Sequence, residues 1–419
     1  MNRKSTRRYL LLSLLCCIAA LMLNQAGNGT ATILLIFVSA ALSTRACSFE
    51  NPVQMMWMSA HYTFCLMPSA ILYISNVSSS FSAAIYLSVF TTVFIGLTFF
   101  VGSKKVNMTR PSVTLNSYFM FISGSIILLY ATNGGSFLYA TPLMGMLLAA
   151  HCRSASKFSS AASYGIFAAY ILIYAIFYWS EFGRLVLAGS LLAPLLAVLN
   201  RYNLRIAKIP LLVLTGTGGL FGSLLRIEGA TPSTIVMAAL RDSAVSPLVT
   251  AQDFLNRLDQ NAPIRWREWW DQVTLYFLGP FPRQWWPSKP YGFGFQYVID
   301  NLESAYVLSG HSIAATFMGE HIYYLNSTLF FFATIFAMIL VIGAVRVTQS
   351  LGLFLGSGSY LVAVYIPTFY WGGMASFSQR FIFGFCTALG VMLALYMWSR
   401  ISGKIFLRRP PVGHRSLQQ

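Results

Sequence analysis

The sequence predicts an all-α, polytopic membrane protein. Its 419 residues are 56% hydrophobic and only 9% charged, and the mean hydropathy is +0.63. A soluble protein of this length needs many more charged residues at its surface. Apolar runs of about 15–22 residues recur along the chain, close to the length of helix that crosses the hydrocarbon core of a bilayer.

About twelve such runs are present, and each predicts a transmembrane helix. They lie at 9–23, 30–43, 53–74, 81–101, 117–131, 136–150, 161–179, 185–199, 209–225, 326–345, 351–369 and 381–399. The first follows the basic stretch MNRKSTRRY and imitates a secretory signal, but no A-x-A cleavage site follows it. We therefore predict an uncleaved first helix and one polytopic membrane domain over 1–419.

The cations predict the orientation of these helices. The net charge is +17, and most of the lysines and arginines fall in alternate connections, which places those connections in the cytoplasm. Both termini are then cytoplasmic. The orientation of the helices explains the excess of positive charge, so the charge gives no reason to expect nucleic acid as a partner.

One connection, 226–327, is far longer than the others and is predicted to be external. It holds nine of the eleven acidic residues of the chain, and a connection that only reverses the chain needs a handful of residues. Ser246 and Pro247 predict the start of one helix in this loop. A second helix is predicted over 265–278.

The second predicted helix carries its large apolar residues on one face. These are Trp266, Trp269, Trp270, Val273 and Phe277. Because tryptophan prefers the boundary between membrane and water, the pattern predicts a helix that lies in the interface. Packing of this face against the helical bundle is the alternative.

Directly after this helix, residues 278–290 read LGPFPRQWWPSKP. Its prolines stiffen the backbone around Arg283 and Lys289. An arginine and a lysine held in a stiff turn can bind a phosphate or pyrophosphate, Arg283 through paired N–H donors and Lys289 as a point charge. Trp285 and Trp286 offer flat faces on which sugars stack, or anchor the turn in the membrane. Pairing of the cations with loop acids or lipid headgroups is the alternative.

Other ionisable residues extend this external constellation. Glu320 stands near a predicted membrane boundary, where desolvation raises a carboxyl pKa and suits it to proton transfer. Arginines are predicted at the external ends of spans or in the loop and could line a cleft for an anionic, lipid-tethered substrate, although snorkelling explains any one of them; they are Arg184, Arg226, Arg241 and Arg380. His61 is predicted to be a neutral histidine bonded to a neighbouring helix.

Several function classes have no motif in the sequence. It contains no G-x-x-x-x-G-K-[ST], no G-x-S-x-G, no H-E-x-x-H and no DxD cluster, so nucleotide-driven, serine-hydrolase and metal-dependent chemistry lack their signatures. No metal site and no cofactor are predicted. If the protein forms a new bond, its substrate must therefore already contain an activated bond that drives the reaction.

The order of these features resembles that of the bacterial O-antigen polymerases, the Wzy-type oligosaccharide repeat-unit polymerases. The resemblance rests on the turn 279-GPFPRQWWPSKP-290 and on 309-SGHSIAATFMGEHIYYLN-326, which leads into a late span. The plan of about twelve spans with one dominant loop agrees over the full length. Many members have two sizeable periplasmic loops, whereas here the connection at 370–380 is short.

The resemblance implies a metal-independent glycosyltransferase with a GT-C-like fold in the bacterial inner membrane. Its substrates would be undecaprenyl-pyrophosphate-linked oligosaccharides in the periplasmic leaflet, and a chain-length regulator protein is an implied partner beside membrane lipids. Arg283 is expected to stabilise the leaving pyrophosphate, with Lys289, Arg380 and Arg226 as neighbours. Glu320 is expected to act as base for the acceptor hydroxyl, with His311 as the substitute.

Two other functions remain open at this point. An O-antigen ligase uses the same donor but transfers the glycan to the lipopolysaccharide core, and an external His311 or His321 suits it. A flippase or transporter for the same glycolipid predicts polar and charged residues inside the spans, and these spans have almost none. A structural scaffold leaves the long loop unexplained.

Overall fold

A computed structural model describes the chain over 3–48, 51–75, 81–101, 115–133, 137–152, 156–177, 184–201, 212, 246–258, 263–302, 312–326, 328–350 and 358–401. These parts of the chain are helices and their short connections, with no strand among them. The expected all-α fold is confirmed for the described residues.

The first half of the described chain consists of helices at the predicted spans. In chain order these are α1 Arg3–Gln25, α2 Gly29–Ala46, α3 Pro52–His61, a π-helical segment Tyr62–Leu66, α4 Met67–Ile74, α5 Ser82–Val101, α6 Leu115–Ala131, α7 Phe137–Cys152, α8 Lys157–Phe177 and α9 Arg184–Arg201.

The second half contains four shorter helices and two long ones. They are α10 Ser246–Asn256, α11 Trp266–Leu278, α12 Phe293–Asn301, α13 Thr316–Leu325, α14 Leu329–Ser350 and α15 Gly358–Ile401. Thus α10 and α11 confirm the two helices predicted in the long loop. The predicted ninth span, 209–225, falls outside the described residues except for Leu212.

Four of the described helices are long and apolar enough to cross a membrane. Their spans are Lys4–Gln25, Gly29–Ala46, Ser82–Phe99 and Leu329–Gln349. Large apolar side chains such as Leu11, Leu15 and Leu34 are more than half exposed on α1 and α2. In a bilayer these faces would contact lipid rather than water, as the composition of the chain predicts.

Helix α15 is two antiparallel helices joined at a sharp turn. The rings of Phe369 and Phe377 lie 5.7 Å apart, and those of Tyr365 and Phe381 lie 6.3 Å apart. Residues 365 and 381 would be about 24 Å apart in a straight helix, so the chain reverses between them. The reversal occurs at Gly373, which has φ 76° and ψ −162°. The two arms lie at the predicted eleventh and twelfth spans, but the connection predicted at 370–380 is helix except at Gly373.

Three buried segments form the centre of the bundle: α3, the π-helical segment and the part of α15 before Gly373, called its first arm. The part after Gly373 is its second arm. The wide turn of the π-helix accommodates Pro68, which has no N–H and whose ring would clash with the carbonyl of Phe64 in a regular helix. His61 ends α3, and its Nδ1 lies 2.8 Å from the hydroxyl of Tyr370. The prediction that His61 is bonded to a neighbouring helix is confirmed.

Candidate functional site

Glu320 lies in the middle of α13 and is completely buried against the turn of α15. Its Oε1 accepts a hydrogen bond of 2.8 Å from the backbone N–H of Met374, the residue that begins the second arm. Its Oε2 has no hydrogen-bond partner among the described residues. A buried carboxyl with one free oxygen is costly in a folded protein, and such groups are concentrated at functional sites.

Gly373 makes room for this carboxyl. A Cβ at this position would overlap the carboxyl group of Glu320, and it would stand 2.8 Å from Oε1. The φ of 76° also lies in the left-handed region, which side chains rarely adopt. Only glycine satisfies both the reversal of the chain and the close approach of the acid.

Burial raises the pKa of Glu320 from 4.5 to about 8, although the hydrogen bond from Met374 lowers it in part. The group lies on α13, outside the four candidate spans. The expectation that desolvation raises this pKa is thus confirmed, and burial is total rather than partial. A carboxyl with this pKa exchanges its proton near neutral pH, as a general acid or base must.

His321, the next residue, is buried beside the same carboxyl and is neutral. Burial lowers the pKa of His321 to about 3. Its Nδ1 accepts a hydrogen bond of 3.1 Å from the indole N–H of Trp269, and its Nε2 lies 3.6 Å from Oε1 of Glu320. That separation is too long for a hydrogen bond, so the two groups are neighbours in a polar pocket rather than an ion pair at neutral pH.

Further buried oxygen atoms without a partner lie along the same helix. The hydroxyls of Thr316 and Tyr324 are unpartnered among the described residues, as is Oε2 of Glu320. Residues four apart are neighbours on one side of a helix, so Thr316, Glu320 and Tyr324 share one side of α13. A ligand rich in hydroxyl groups would satisfy them.

The two cations of the turn 279–290 donate hydrogen bonds to carbonyls of the turn itself. Arg283 donates from Nη1 to the carbonyl of Lys289 and from Nη2 to that of Pro290, and its guanidinium stacks 4.0 Å over the ring of Tyr291. Lys289 donates to the carbonyls of Gly279 and Phe281. Neither cation pairs with a carboxylate of the described residues, so the alternative of pairing with a loop acid finds no support there.

These contacts preorganise a small cationic surface. Arg283 is exposed, and its guanidinium carries five N–H donors, of which the two bonds to carbonyls occupy only part. Partial burial lowers the pKa of Lys289, and the positive charge of Arg283 lowers it further. Both cations are thus held on the same turn by bonds to its backbone.

Helix α11 connects the cationic turn with the buried acid. Trp269 of α11 donates a hydrogen bond to His321. The buried side-chain amide of Gln272 bonds the backbone just after the turn: Nε2 donates to the carbonyl of Tyr291 at 3.0 Å, and Oε1 accepts from the N–H of Phe293 at 2.9 Å. At the end of α11, a Cβ on Gly279 would stand 2.9 Å from the side chain of Gln379. Since Gln379 is only six residues beyond Gly373, the turn and the acid share one end of the bundle.

The predicted tryptophans of the turn have different surroundings. Trp285 is 76% exposed, whereas Trp286 is half-buried. The backbone N–H groups of both donate to the carbonyl of Pro282, at 3.0 and 3.1 Å. A ring as exposed as that of Trp285 is available to a sugar or to lipid.

The remaining predicted residues are distributed as follows. Arg380 directly follows Gln379 in the second arm of α15 and is half-buried. Helix α9 begins at Arg184, whose side chain is not described. His311, Arg226 and Arg241 lie outside the described residues. No group of three metal-binding side chains is present in the described parts of the chain.

Sequence reasoning missed the roles of three residues that build the site, one of which, Trp269, was predicted on the interfacial face instead. Gly373 leaves room for the carboxyl group of Glu320, Trp269 donates a hydrogen bond to His321, and Gln272 bonds the backbone at the end of the turn. The glycine pair in YWGGMAS and the adjacent acid and histidine in GEHI were visible signals. The role of Gln272 had no signal, because a lone glutamine on a helix is most often a surface residue.

The fold and the apolar helices define an α-helical membrane protein. Comparison with protein-family models, curated proteins and solved structures found no match. The site therefore has to be interpreted from its own chemistry.

Proposed function

We propose that this protein is an integral-membrane glycosyltransferase. It polymerises undecaprenyl-pyrophosphate-linked oligosaccharide repeat units into O-antigen or a similar surface polysaccharide, on the periplasmic face of the bacterial inner membrane. The observation that carries the proposal is the buried carboxyl of Glu320, with its raised pKa, at the same end of the bundle as a turn stiffened around two cations.

The proposed reaction joins two lipid-linked glycans. A hydroxyl oxygen of the acceptor glycan forms a bond to the anomeric carbon of the growing chain, and the bond from that carbon to the pyrophosphate oxygen breaks. The leaving group is the undecaprenyl pyrophosphate. The proton of the acceptor hydroxyl passes to the carboxylate of Glu320, so charge and atoms balance without any cofactor.

The cationic turn serves the leaving group in this proposal. Negative charge grows on the bridging pyrophosphate oxygen as the bond breaks, and donors that are already oriented stabilise that charge without further reorganisation. Arg283 and Lys289 are oriented by their bonds to four backbone carbonyls. Arg380 is the neighbouring cation on α15.

The acceptor reaches Glu320 through the contact between α13 and the turn of α15. Because Glu320 is fully buried, this contact has to open before an acceptor hydroxyl can reach its unpartnered Oε2. The unpartnered hydroxyls of Thr316 and Tyr324 are the polar groups that a sugar would then bond.

A single-enzyme assay tests the proposal. Purified protein is incubated with lipid-linked repeat units in the presence of a chelator, and the products are separated by chain length. We expect elongated glycans on the carrier lipid, and we expect Glu320→Gln to slow elongation by a factor of about 10²–10⁴. Transfer only to added lipopolysaccharide core would identify a ligase instead, and movement of lipid-linked glycan across vesicles without a new glycosidic bond would identify a transporter.

A further inference from the structure

His61 stands at the centre of the bundle, and the proposed reaction does not use it. It is completely buried, as is Tyr370, whose hydroxyl lies 2.8 Å from Nδ1 of His61. Oγ1 of Thr91 on α5 lies 3.3 Å from the same nitrogen and accepts a hydrogen bond of 3.1 Å from the indole N–H of Trp57. An ionisable side chain inside a membrane protein is costly, and such residues usually have a functional role.

The ring of Tyr370 contacts three other rings of the core. Those of Trp57 and Phe64 lie 5.7 and 6.2 Å from it, and that of Phe317 lies 5.0 Å away in an edge-to-face geometry. Phe317 also stacks on Phe369, at 5.5 Å. Because Phe317 belongs to α13, these contacts pack α13 against the end of the first arm of α15. Side chains packed this closely do not shift independently of one another.

Phe317 and Tyr370 each lie about one helical turn from one side of the hydrogen bond to the buried acid. Phe317 precedes Glu320 by one turn on α13, and Tyr370 precedes Met374 by one turn on α15. In a regular helix the N–H of Met374 donates to the carbonyl of Tyr370, whereas here it donates to the carboxyl of Glu320 at 2.8 Å. The interruption at Gly373 redirects this N–H, so its place depends on how the end of the first arm is fixed.

We propose that His61 and Tyr370 are positioning residues for Glu320. The bond between them fixes the last turn of the first arm, and that turn fixes the chain reversal which presents the N–H of Met374 to the carboxyl. Phe317 packs α13 against the same turn, so the carboxyl and its donor are placed by one set of contacts. The importance of this for catalysis rests on the proposed function, but the positioning of Glu320 does not.

An infrared titration of the buried carboxyl measures this positioning without any substrate. The C=O band of protonated Glu320 is the band that Glu320→Gln removes, and its disappearance is followed in detergent from about pH 6 to about pH 10. His321 lies beside this carboxyl and stays neutral over the range, because burial lowers its pKa to about 3. Burial also raises the pKa of Tyr324, one turn further along α13, so that phenol keeps its proton.

Tyr370→Phe keeps the aromatic ring and removes the hydroxyl. We expect the midpoint, about 8 in the parent protein, to rise by about 1 pH unit, because the N–H of Met374 is displaced and a hydrogen bond to a charged group changes a pKa by this much or more. His61→Leu should have the same effect. His61→Asn should keep the parent midpoint, because its amide oxygen can accept from Tyr370 in place of Nδ1. The pH profile of kcat for elongation should shift with the midpoint.

Tyr164→Phe is the matched control, because it removes a tyrosine hydroxyl that joins α8 to the carbonyl of Leu191 on α9; it should leave the midpoint unchanged. An unchanged or lower midpoint in Tyr370→Phe, or equal shifts in His61→Asn and His61→Leu, would overturn the positioning role. The two sides of the bond are tested separately, so either set of variants decides if the other does not fold. If the midpoints shift as expected but the parent protein elongates no glycan, the proposed function fails and the positioning of Glu320 stands.

Discussion

Trp269 donates its indole N–H to Nδ1 of His321, and this bond determines which nitrogen of a buried imidazole faces Glu320. A neutral imidazole that accepts at Nδ1 carries its proton on Nε2. Nε2 is the nitrogen that lies 3.6 Å from Oε1 of Glu320. Trp269 of α11 thus sets the polar environment of the buried acid.

Removing this donor destabilises the protein. In Trp269→Phe the aromatic volume is largely kept, but Nδ1 of His321 loses its partner in a buried site. An unsatisfied buried polar atom costs about 1–3 kcal/mol, so the temperature of thermal unfolding in detergent should fall. Trp270→Phe is the matched control, since Trp270 is exposed and should leave the unfolding temperature unchanged. Equal effects of the two substitutions would contradict the role given to Trp269.

The raised pKa of Glu320 makes stability depend on pH. Burial raises this pKa from 4.5 to about 8, so between these values the folded state binds a proton that the unfolded state does not. The contribution of Glu320 to the free energy of unfolding is then fully present below pH 4.5. It is lost as pH rises through about 8, by at most about 1.4 kcal/mol per pH unit.

Unfolding temperatures measured from about pH 7 to about pH 9 check this sign, because the lowered pKa of the buried His321 makes stability rise with pH only below the ordinary histidine value of 6.5. They should fall with pH in the parent protein, and Glu320→Gln should flatten the profile because the amide has no proton to lose. A stability that rises over this range in the parent, or an unchanged slope in the variant, would exclude a buried Glu320 of high pKa.

The turn at Gly373 should not tolerate a side chain. Gly373→Ala introduces a methyl group that overlaps the carboxyl of Glu320 and requires a positive φ, which by itself costs about 1–3 kcal/mol. We expect a lower unfolding temperature and, in the elongation assay, a loss of rate beyond that explained by the unfolded fraction. Gly343→Ala in α14 is the control, since a Cβ there meets nothing within 4 Å. If both variants behave alike, the fit between Gly373 and Glu320 is not required.

Arg283 should not be replaceable by lysine. Its guanidinium reaches the carbonyls of Lys289 and Pro290 with two nitrogens and stacks on Tyr291, and a lysine ammonium cannot reproduce this planar geometry. We expect Arg283→Lys and Arg283→Ala to lower kcat for elongation by a similar factor, of about 10 or more, equivalent to roughly 1.4 kcal/mol.

Arg267→Ala provides the comparison for this pair, because Arg267 is an exposed cation on α11 outside the turn. It should retain the parent rate. Full activity of Arg283→Ala would end the assignment of Arg283 to the leaving pyrophosphate.

Much of the secondary structure was predictable because a membrane restricts which backbone structures are stable. Helices must satisfy their own backbone hydrogen bonds in lipid, so long apolar runs become helices, as α1, α2, α5 and α14 illustrate. The helix at 266–278 was also predictable from its aromatic spacing. Its two faces were not, because Trp269 and Trp270 are adjacent and identical in sequence, yet one packs on His321 and the other is exposed.

The sequence by itself determined the helical membrane class, the long charged connection, and the residue types Arg283, Lys289 and Glu320 that carry charge there. These follow from composition and local spacing. Only the tertiary structure decided that Glu320 is buried against Gly373 and that Tyr276 of α11 donates to the carbonyl of Leu340 on α14. Such relationships join residues more than fifty positions apart, and they depend on how helices pack, which the pattern of any one segment does not encode.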